Sequence, residues 1–257
     1  NVARIANFFV NAQSCVPAGT PTASVTPTTT SASATPTSTP TSTPNVTPTT
    51  TCVGTTYSDN FSVNSLGNYS VYDGDWNPST ATAQSIQIVS GEFQVAPTSG
   101  VVYPYTIVND SSFSQSLGDY RVEGDFKLDT VGPGVFGVIV RATAASAYGY
   151  IFQWNGLNNR WEIEKQIAPG NYYYPATNAS SAYTQGTWVH LKLVAGPGNL
   201  FNAYITPSGG AQQQIFSGVT DPGTTTPYAT GGAGIRAYNV VGGNILHVQN
   251  FIASTCP

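Results

Sequence analysis

Tyr120-Arg-Val-Glu-Gly-Asp-Phe-Lys-Leu128 decides the fold. In an extended chain Val122, Gly124, Phe126 and Leu128 face one way while Arg121, Glu123, Asp125 and Lys127 face the other. This period of two marks a strand with one buried and one wet face. The same alternation recurs in both directions along the chain. It is found at Gln84–Val89, Glu92–Val95, Val135–Arg141, Tyr148–Trp154, Arg160–Lys165, Thr187–Val194, Leu200–Ile205, Gly232–Tyr238 and Ile245–Ile252. Gly, Pro and Asn punctuate these segments, and no helical periodicity competes with them. Such a series over residues 52–257 predicts an all-β, two-sheet antiparallel sandwich.

Upstream the composition changes. Residues 20–51 contain fifteen Thr, five Ser and six Pro, too little apolar surface to build a core. The tract reads as an extended stalk reaching on the order of 100 Å at about 3.1 Å per residue. Its repeat Thr35-Pro-Thr-Ser-Thr-Pro-Thr-Ser-Thr-Pro44 has the composition of O-glycosylated linkers, which makes Thr35, Thr37, Thr39, Thr41 and Thr43 candidate glycosylation sites. Asn-x-Ser/Thr patterns at Asn45, Asn60, Asn68, Asn109 and Asn178 carry little weight in a chain so rich in Ser and Thr. Residues 1–19 form an apolar leader. Val2, Ile5, Phe8, Phe9 and Val10 make it a candidate docking segment, either a strand donated to another copy or one face of a short helix.

Only 8% of the 257 residues are charged, with eight Lys and Arg against twelve Asp and Glu and a net charge of -4. With no basic stripe to neutralise phosphates, nucleic-acid binding is not expected. No apolar run approaches the roughly 18 residues of a membrane span. The first residues lack a basic region followed by a long apolar one, so the chain reads as a mature, soluble product. Cys52 and Cys256 bracket everything globular, and a bridge between them would staple the ends of a sandwich whose first and last strands are neighbours. That pairing implies an oxidising, extracellular location. Cys15 is left as a free thiol, a partner for another chain or a competitor for Cys52.

Several short motifs then occur in a telling order. Asp59-Asn-Phe61 is followed by Tyr72-Asp-Gly-Asp-Trp76 and Ile88-Val-Ser-Gly-Glu-Phe93. Next come Gly137-Val-Ile-Val-Arg141, Tyr148-Gly-Tyr-Ile-Phe-Gln153 and Gly186-Thr-Trp188 with His190-Leu-Lys-Leu193, and Gly232-Ala-Gly-Ile-Arg236 with Val248-Gln-Asn-Phe251 closes the series. The order resembles the laminin G-like or concanavalin A-like jelly-roll domains of secreted bacterial proteins over residues 57–254. The resemblance implies a jelly-roll sandwich with Trp76 and Trp188 in its core. It also implies a calcium site, since many relatives hold the ion with an early and a late Asp. Asp59 matches the early position, whereas the late one reads Gln249-Asn250.

Sandwiches of this kind host lectins, binding modules, hydrolases and spacers, so the residues must separate them. Hydrolysis on a similar fold needs a strand carrying Glu, Asp and Glu at alternate positions. Glu162-Ile-Glu164 offers two carboxylates, and Glu123-Gly-Asp125 is interleaved with Arg121 and Lys127. Both read as solvated strand faces with cross-strand charge pairs. His190 and His247 lie in alternating strands without a nucleophile elbow nearby. No catalytic set is expected. Sugar stacking needs exposed rings, and the candidates are Tyr148, Tyr150, Trp154, Trp161 and Tyr173 within the run Asn171-Tyr-Tyr-Tyr174. Two readings follow. One is a non-enzymatic subunit of a cell-surface fibre, assembled head-to-tail with copies of itself through the leader. The other is a carbohydrate-binding or adhesion module carried on the Pro/Thr linker of a larger secreted protein.

Overall fold

A computed structural model describes residues 54, 56–72, 85–97, 101–143, 148–168, 170–221 and 225–255. The chain divides into Asn1–Thr49 and Thr50–Pro257, and every described residue lies in the second. The leader, the stalk with its Thr sites, Cys15, Cys52, Trp76 and Cys256 fall outside the described residues.

Tyr120–Leu128 becomes the strand β7, with Tyr120, Val122, Gly124, Phe126 and Leu128 buried and the residues between them half-exposed. It lies inside an eight-stranded antiparallel sheet. Beside it on one side run β12 (Val189–Gly196), β13 (Leu200–Pro207) and β14 (Gln213–Thr220). On the other run β17 (Leu246–Ser254), β4 (Glu92–Val95) and β3 (Ile86–Val89). The β3–β4 turn is Ser90-Gly91, both with positive φ (55° and 78°), the geometry that matches the twist of a tight hairpin. One edge of β17 is shared. Leu246–Val248 pairs with β4, and Phe251–Ser254 pairs with β1 (Thr56–Asp59). Between the two lies a bulge at Asn250, whose φ is 50°.

The second sheet has seven strands, in the order β11 (Asn171–Asn178), β10 (Arg160–Ala168), β9 (Tyr150–Asn155), β8 (Val135–Ala142), β15 (Gly232–Tyr238), β6 (Tyr105–Val108) and β2 (Tyr69–Tyr72). A separate pair joins β5 (Val101–Val102) to β16 (Val240–Val241). The two large sheets enclose one core. Phe126, Leu191, Leu193, Phe201, Val248 and Phe251 from the first sheet share it with Phe136, Val138, Phe152, Trp154, Trp161, Ile163 and Ile235 from the second. The architecture is a two-sheet antiparallel sandwich, as the alternation predicts, in the jelly-roll form that the resemblance implies.

The ten predicted strands all appear, with ends moved by at most three residues. Three expected placements change. Trp154, Trp161 and Tyr150 are 2%, 0% and 0% exposed in the core, so their rings are closed to a ligand. Trp188 is not in the core. Val189 takes the inward position, the period of two turns Trp188 outward, and Lys127 Nζ lies 5.2 Å from its ring centroid. Tyr148 is half-buried against Tyr105, Ile107, Ile139, Ala142 and Ile151, a small apolar cluster on the far side of the seven-stranded sheet from the main core.

Arg141, at the end of the Gly137 motif, is a pin between loops. Its buried guanidinium donates to the carbonyls of Gly118 (2.8 Å) and Gly196 (2.9 Å) and to Asn199 Oδ1 (2.5 Å), and it lies 5.3 Å from the Phe201 ring centroid. Its backbone N–H donates to the Tyr120 hydroxyl at 2.6 Å. A buried guanidinium satisfied by main-chain carbonyls fixes the loops that supply them.

Candidate functional site

The site grows from the outer face of the seven-stranded sheet. On β10 Trp161, Ile163 and Lys165 point to the core and Glu162, Glu164 and Gln166 point away from it. Expected to be solvated, Glu162 and Glu164 are instead 0% and 1% exposed. Their charge pairs are present, yet the row is dry because its members satisfy one another. Gln153 of β9 donates through one Nε2 to both Glu162 Oε2 (3.0 Å) and Glu164 Oε2 (2.9 Å). Asn155 donates to Glu162 Oε2 at 3.0 Å, Arg160 Nε to Glu162 Oε1 at 2.5 Å, and Arg236 of β15 to Glu164 Oε1. Buried charges persist when paired and hydrogen-bonded in this way. Burial opposes the charge on Arg236, but Glu164 beside it prevails and holds the guanidinium above its ordinary value.

Every oxygen of Glu162 and Glu164 already has a donor. Neither carboxylate is placed to attack or protonate a glycosidic bond, which requires one to meet the sugar directly. The arrangement is a floor that positions side chains.

Tyrosines form the walls. Arg236 lies between the rings of Tyr105 and Tyr238, 5.0 and 5.1 Å from their centroids. Tyr103 packs on Tyr238 at 4.8 Å and Tyr172 on Tyr174 at 5.5 Å. A cavity of about 340 Å³ is lined by Tyr103, Tyr105, Gln166, Tyr172, Arg236 and Tyr238. Next to it a smaller one, of about 110 Å³, is lined by Gln153, Asn155, Glu164, Tyr174 and Leu157 among others, and the two share Tyr172, Arg236 and Tyr238. Leu157 is 51% exposed and sits in the β9–β10 turn. Asn155 Oδ1 caps that turn by accepting the N–H groups of Leu157 and Asn158, both at 3.1 Å. Burial and the Glu164 and Glu162 charges raise the Tyr174 hydroxyl well above its ordinary value, so it stays protonated and able to donate.

Of the residues singled out from sequence for sugar stacking, only Tyr173 is well exposed, at 38%, and it pairs with Lys165, which points to the opposite face from Glu164 and Gln166. Its neighbours Tyr172 and Tyr174 line the site instead. Sequence reasoning missed Arg236, Gln153, Gln166, Tyr103, Tyr105 and Tyr238. The usable signal was a single polar residue inside an otherwise apolar strand, as in Tyr-Ile-Phe-Gln-Trp and Gly-Ala-Gly-Ile-Arg.

The other expected centres have their own environments. Asp59 Oδ1 accepts the Phe61 N–H at 2.8 Å, and Oδ2 accepts the hydroxyls of Tyr57 and Tyr69, each at 3.2 Å, and of Ser65. Donors aimed at one carboxylate do not fit a calcium ion, which needs several oxygen lone pairs turned toward it. Among the described residues no group of three His, Cys, Asp or Glu side chains is arranged to hold a metal. His190 and His247 lie on the outer face of the eight-stranded sheet. His190 Nδ1 is 2.8 Å from Asp125 Oδ1, and His247 Nδ1 is 2.6 Å from Glu92 Oε2. Among the described residues no helix is long and apolar enough to cross a membrane.

No protein-family model matches the chain, and no curated protein matches it. Solved structures do. Arcelin-5, a lectin-like defense protein from Phaseolus vulgaris, is 10% identical with a TM-score of 0.53 over 79% of this chain and 98% of its own. Peanut lectin in complex with a 9mer peptide is 10% identical with a TM-score of 0.52 and the same coverage, 79% and 98%. A legume lectin-like domain from Entamoeba histolytica is 12% identical with a TM-score of 0.50 over 73% of this chain and 90% of its own. At these identities the likeness carries the fold alone. That fold is the two-sheet antiparallel jelly-roll sandwich, which these lectin-like structures share.

Proposed function

We propose that the jelly-roll domain is a non-catalytic carbohydrate-binding module that holds a glycan across the outer face of its seven-stranded sheet. One observation carries the reading. Tyrosine rings wall a cavity of about 340 Å³ whose polar groups are Arg236 and Gln166. A few placed polar groups among aromatic walls is the usual make-up of a small-ligand site, and rings give a sugar's apolar face something to stack on. Two solved structures of similar fold are named a lectin and a lectin-like protein, which agrees with the reading. The module acts outside the cell, an inference supported by the Thr/Ser/Pro stalk and by Cys52 and Cys256 at the ends of the domain. Thr56 pairs with Ser254, four and two positions along the sequence from the two cysteines, which is in keeping with a Cys52–Cys256 bridge.

The fibre reading rests on residues 1–15, and no observation among the described residues favours it. Glycan-array screening followed by titration calorimetry tests the module. Tyr172→Ala and Tyr238→Ala should each weaken the best-bound oligosaccharide by about tenfold or more, while Tyr204→Ala on the other sheet leaves it unchanged. Absence of binding across the array, or binding indifferent to both site substitutions, overturns the assignment.

A further inference from the structure

The outer face of the eight-stranded sheet has a cavity of its own, of about 310 Å³. Its floor follows from the register. Thr206 is opposite His190, His190 is opposite Asp125, and Asp125 is opposite Gln249, so the four form one row across β13, β12, β7 and β17, and all four line the cavity. Trp188 stands two positions before His190 and shares its outward face, so a half-buried indole borders that row. On the opposite side the turn Pro207-Ser-Gly-Gly210 closes the cavity. Its Ser208 N–H donates to the Trp188 carbonyl at 3.1 Å and its Gly210 N–H to the Pro207 carbonyl at 2.8 Å, which ties the turn to the strand that carries the indole.

The ring is braced from outside the cavity. Lys127 Nζ lies 5.2 Å from its centroid and the His247 ring 6.3 Å away, and neither residue lines the cavity. The floor is braced as well. Asp125 Oδ1 is 2.8 Å from His190 Nδ1, Asp125 Oδ2 accepts from Asn250 at 2.7 Å, and Gln249 Nε2 donates to Glu92 Oε1 at 3.1 Å. A hydroxyl, an imidazole, a carboxylate and an amide thus stand side by side, groups that between them both donate and accept, as the hydroxyls of a sugar require.

Charge and size narrow the ligand. Asp125 and His190 are the charged residues of the lining, and hydrogen bonding to Asp125, then to Glu123, raises His190 so that it is a cation at neutral pH and offsets its partner. The volume is at the lower end of the roughly 300–1,000 Å³ of small-ligand cavities. We infer that this cavity is a second saccharide site, taking one neutral sugar residue stacked on Trp188 with its hydroxyls over the Thr206–His190–Asp125–Gln249 row. The inference extends the binding-module reading to the opposite side of the sandwich, and because it stands on a separate cavity the two can fail separately.

The test uses the full chain with Tyr172→Ala and Tyr238→Ala combined, which disables the tyrosine-walled cleft, and a panel of neutral mono- and disaccharides. This variant should still bind one member, and the bound sugar should move the imidazole NMR signals of His190. Adding Trp188→Ala, with folding checked by circular dichroism, should weaken that sugar by about tenfold or more, whereas Trp188→Phe, which keeps a ring, should weaken it by less than about threefold. Loss of all saccharide binding in the cleft-disabled chain overturns the second site and leaves the cleft reading standing. So do His190 signals that stay fixed at saturation, or a bound sugar indifferent to Trp188→Ala. Preference of this site for hexuronates or amino sugars overturns the assignment to a neutral residue. A wild-type chain whose saccharide binding responds to Trp188→Ala and to neither tyrosine substitution upholds this site and removes the cleft.

Discussion

The outer faces of the two sheets carry similar residue types in opposite states. On the eight-stranded sheet Arg121, Glu123, Asp125, Lys127, His190 and Lys192 alternate with the core and remain partly wet. On the seven-stranded sheet Gln153, Glu162, Glu164 and Arg236 are 3% exposed or less. Water reaches the first set and weakens each pair in it. The second set is dry, and each member depends on its partners being in place. A charged strand face therefore has a different consequence on each sheet. On one it keeps the sheet in solvent, and on the other it builds a rigid floor beneath a tyrosine-walled cleft.

The contrast breaks or holds on stability measurements. Glu164→Ala leaves Arg236 buried without its counter-charge and should lower unfolding stability by about 3–5 kcal/mol. Glu123→Ala on the wet face should lower it by about 1 kcal/mol or less. Urea denaturation of the two variants side by side decides, and equal losses would sink the distinction. A smaller effect is expected from Gly137→Ala, where overpacking between adjacent strands should destabilise by about 1–3 kcal/mol. A neutral result there would mean that the two strands can move apart at this row.

The wet face makes a pH prediction of its own. Hydrogen bonding to Asp125 first, and then to Glu123, raises His190 to about 9. Its bond to His190 holds Glu123 below its ordinary value. Burial works against Asp125, but His190 and Asn250 prevail and lower it as well. A raised histidine contributes stability that is complete below its unfolded value near 6.5 and is lost as pH rises through about 9. Lowered carboxyls contribute above their ordinary values of 3.8 and 4.5 and lose that contribution in acid. The cluster should therefore be most stabilising between roughly pH 5 and 6.5. With only two histidines in the chain, NMR titration resolves His190 directly, and Asp125→Asn should bring its midpoint back toward 6.5. A wild-type midpoint already near 6.5 would deny the pairing. The smallest expected change is that of Lys192→Ala, within about 0.5 kcal/mol.

Legibility in the sequence follows the same divide. Where one face is wet, as in Tyr120–Leu128, alternation sets both the strand ends and the inward residues, and β7 matches its expected limits residue for residue. Where both faces are dry, as in Val135-Phe-Gly-Val-Ile-Val-Arg-Ala142, the pattern is lost and orientation cannot be read. The rings of Trp154 and Trp161 were misplaced for that reason. Two-sided burial made an inward tryptophan look like an outward one. Strand β11 went unseen because Asn171-Tyr-Tyr-Tyr-Pro-Ala-Thr-Asn178 is an edge strand with a proline and almost no buried positions. The site lies where these failures meet, across β15, β8, β9, β10 and β11. Its register is long-range, since Arg236 and Glu164 stand 72 positions apart.

Strand β1 also has a mechanical consequence. It runs antiparallel to the end of β17, with Thr56 opposite Ser254 and Asp59 opposite Phe251. A load applied between Thr56 and Ser254 would act across the ladder rather than along it and would peel its rungs open one after another, starting at the Thr56 hydroxyl, which lies 3.0 Å from that of Ser254. Peeling of this kind yields at low force. A covalent link outboard of the first rung would carry the tension in its place and leave the tyrosine-walled cleft undisturbed.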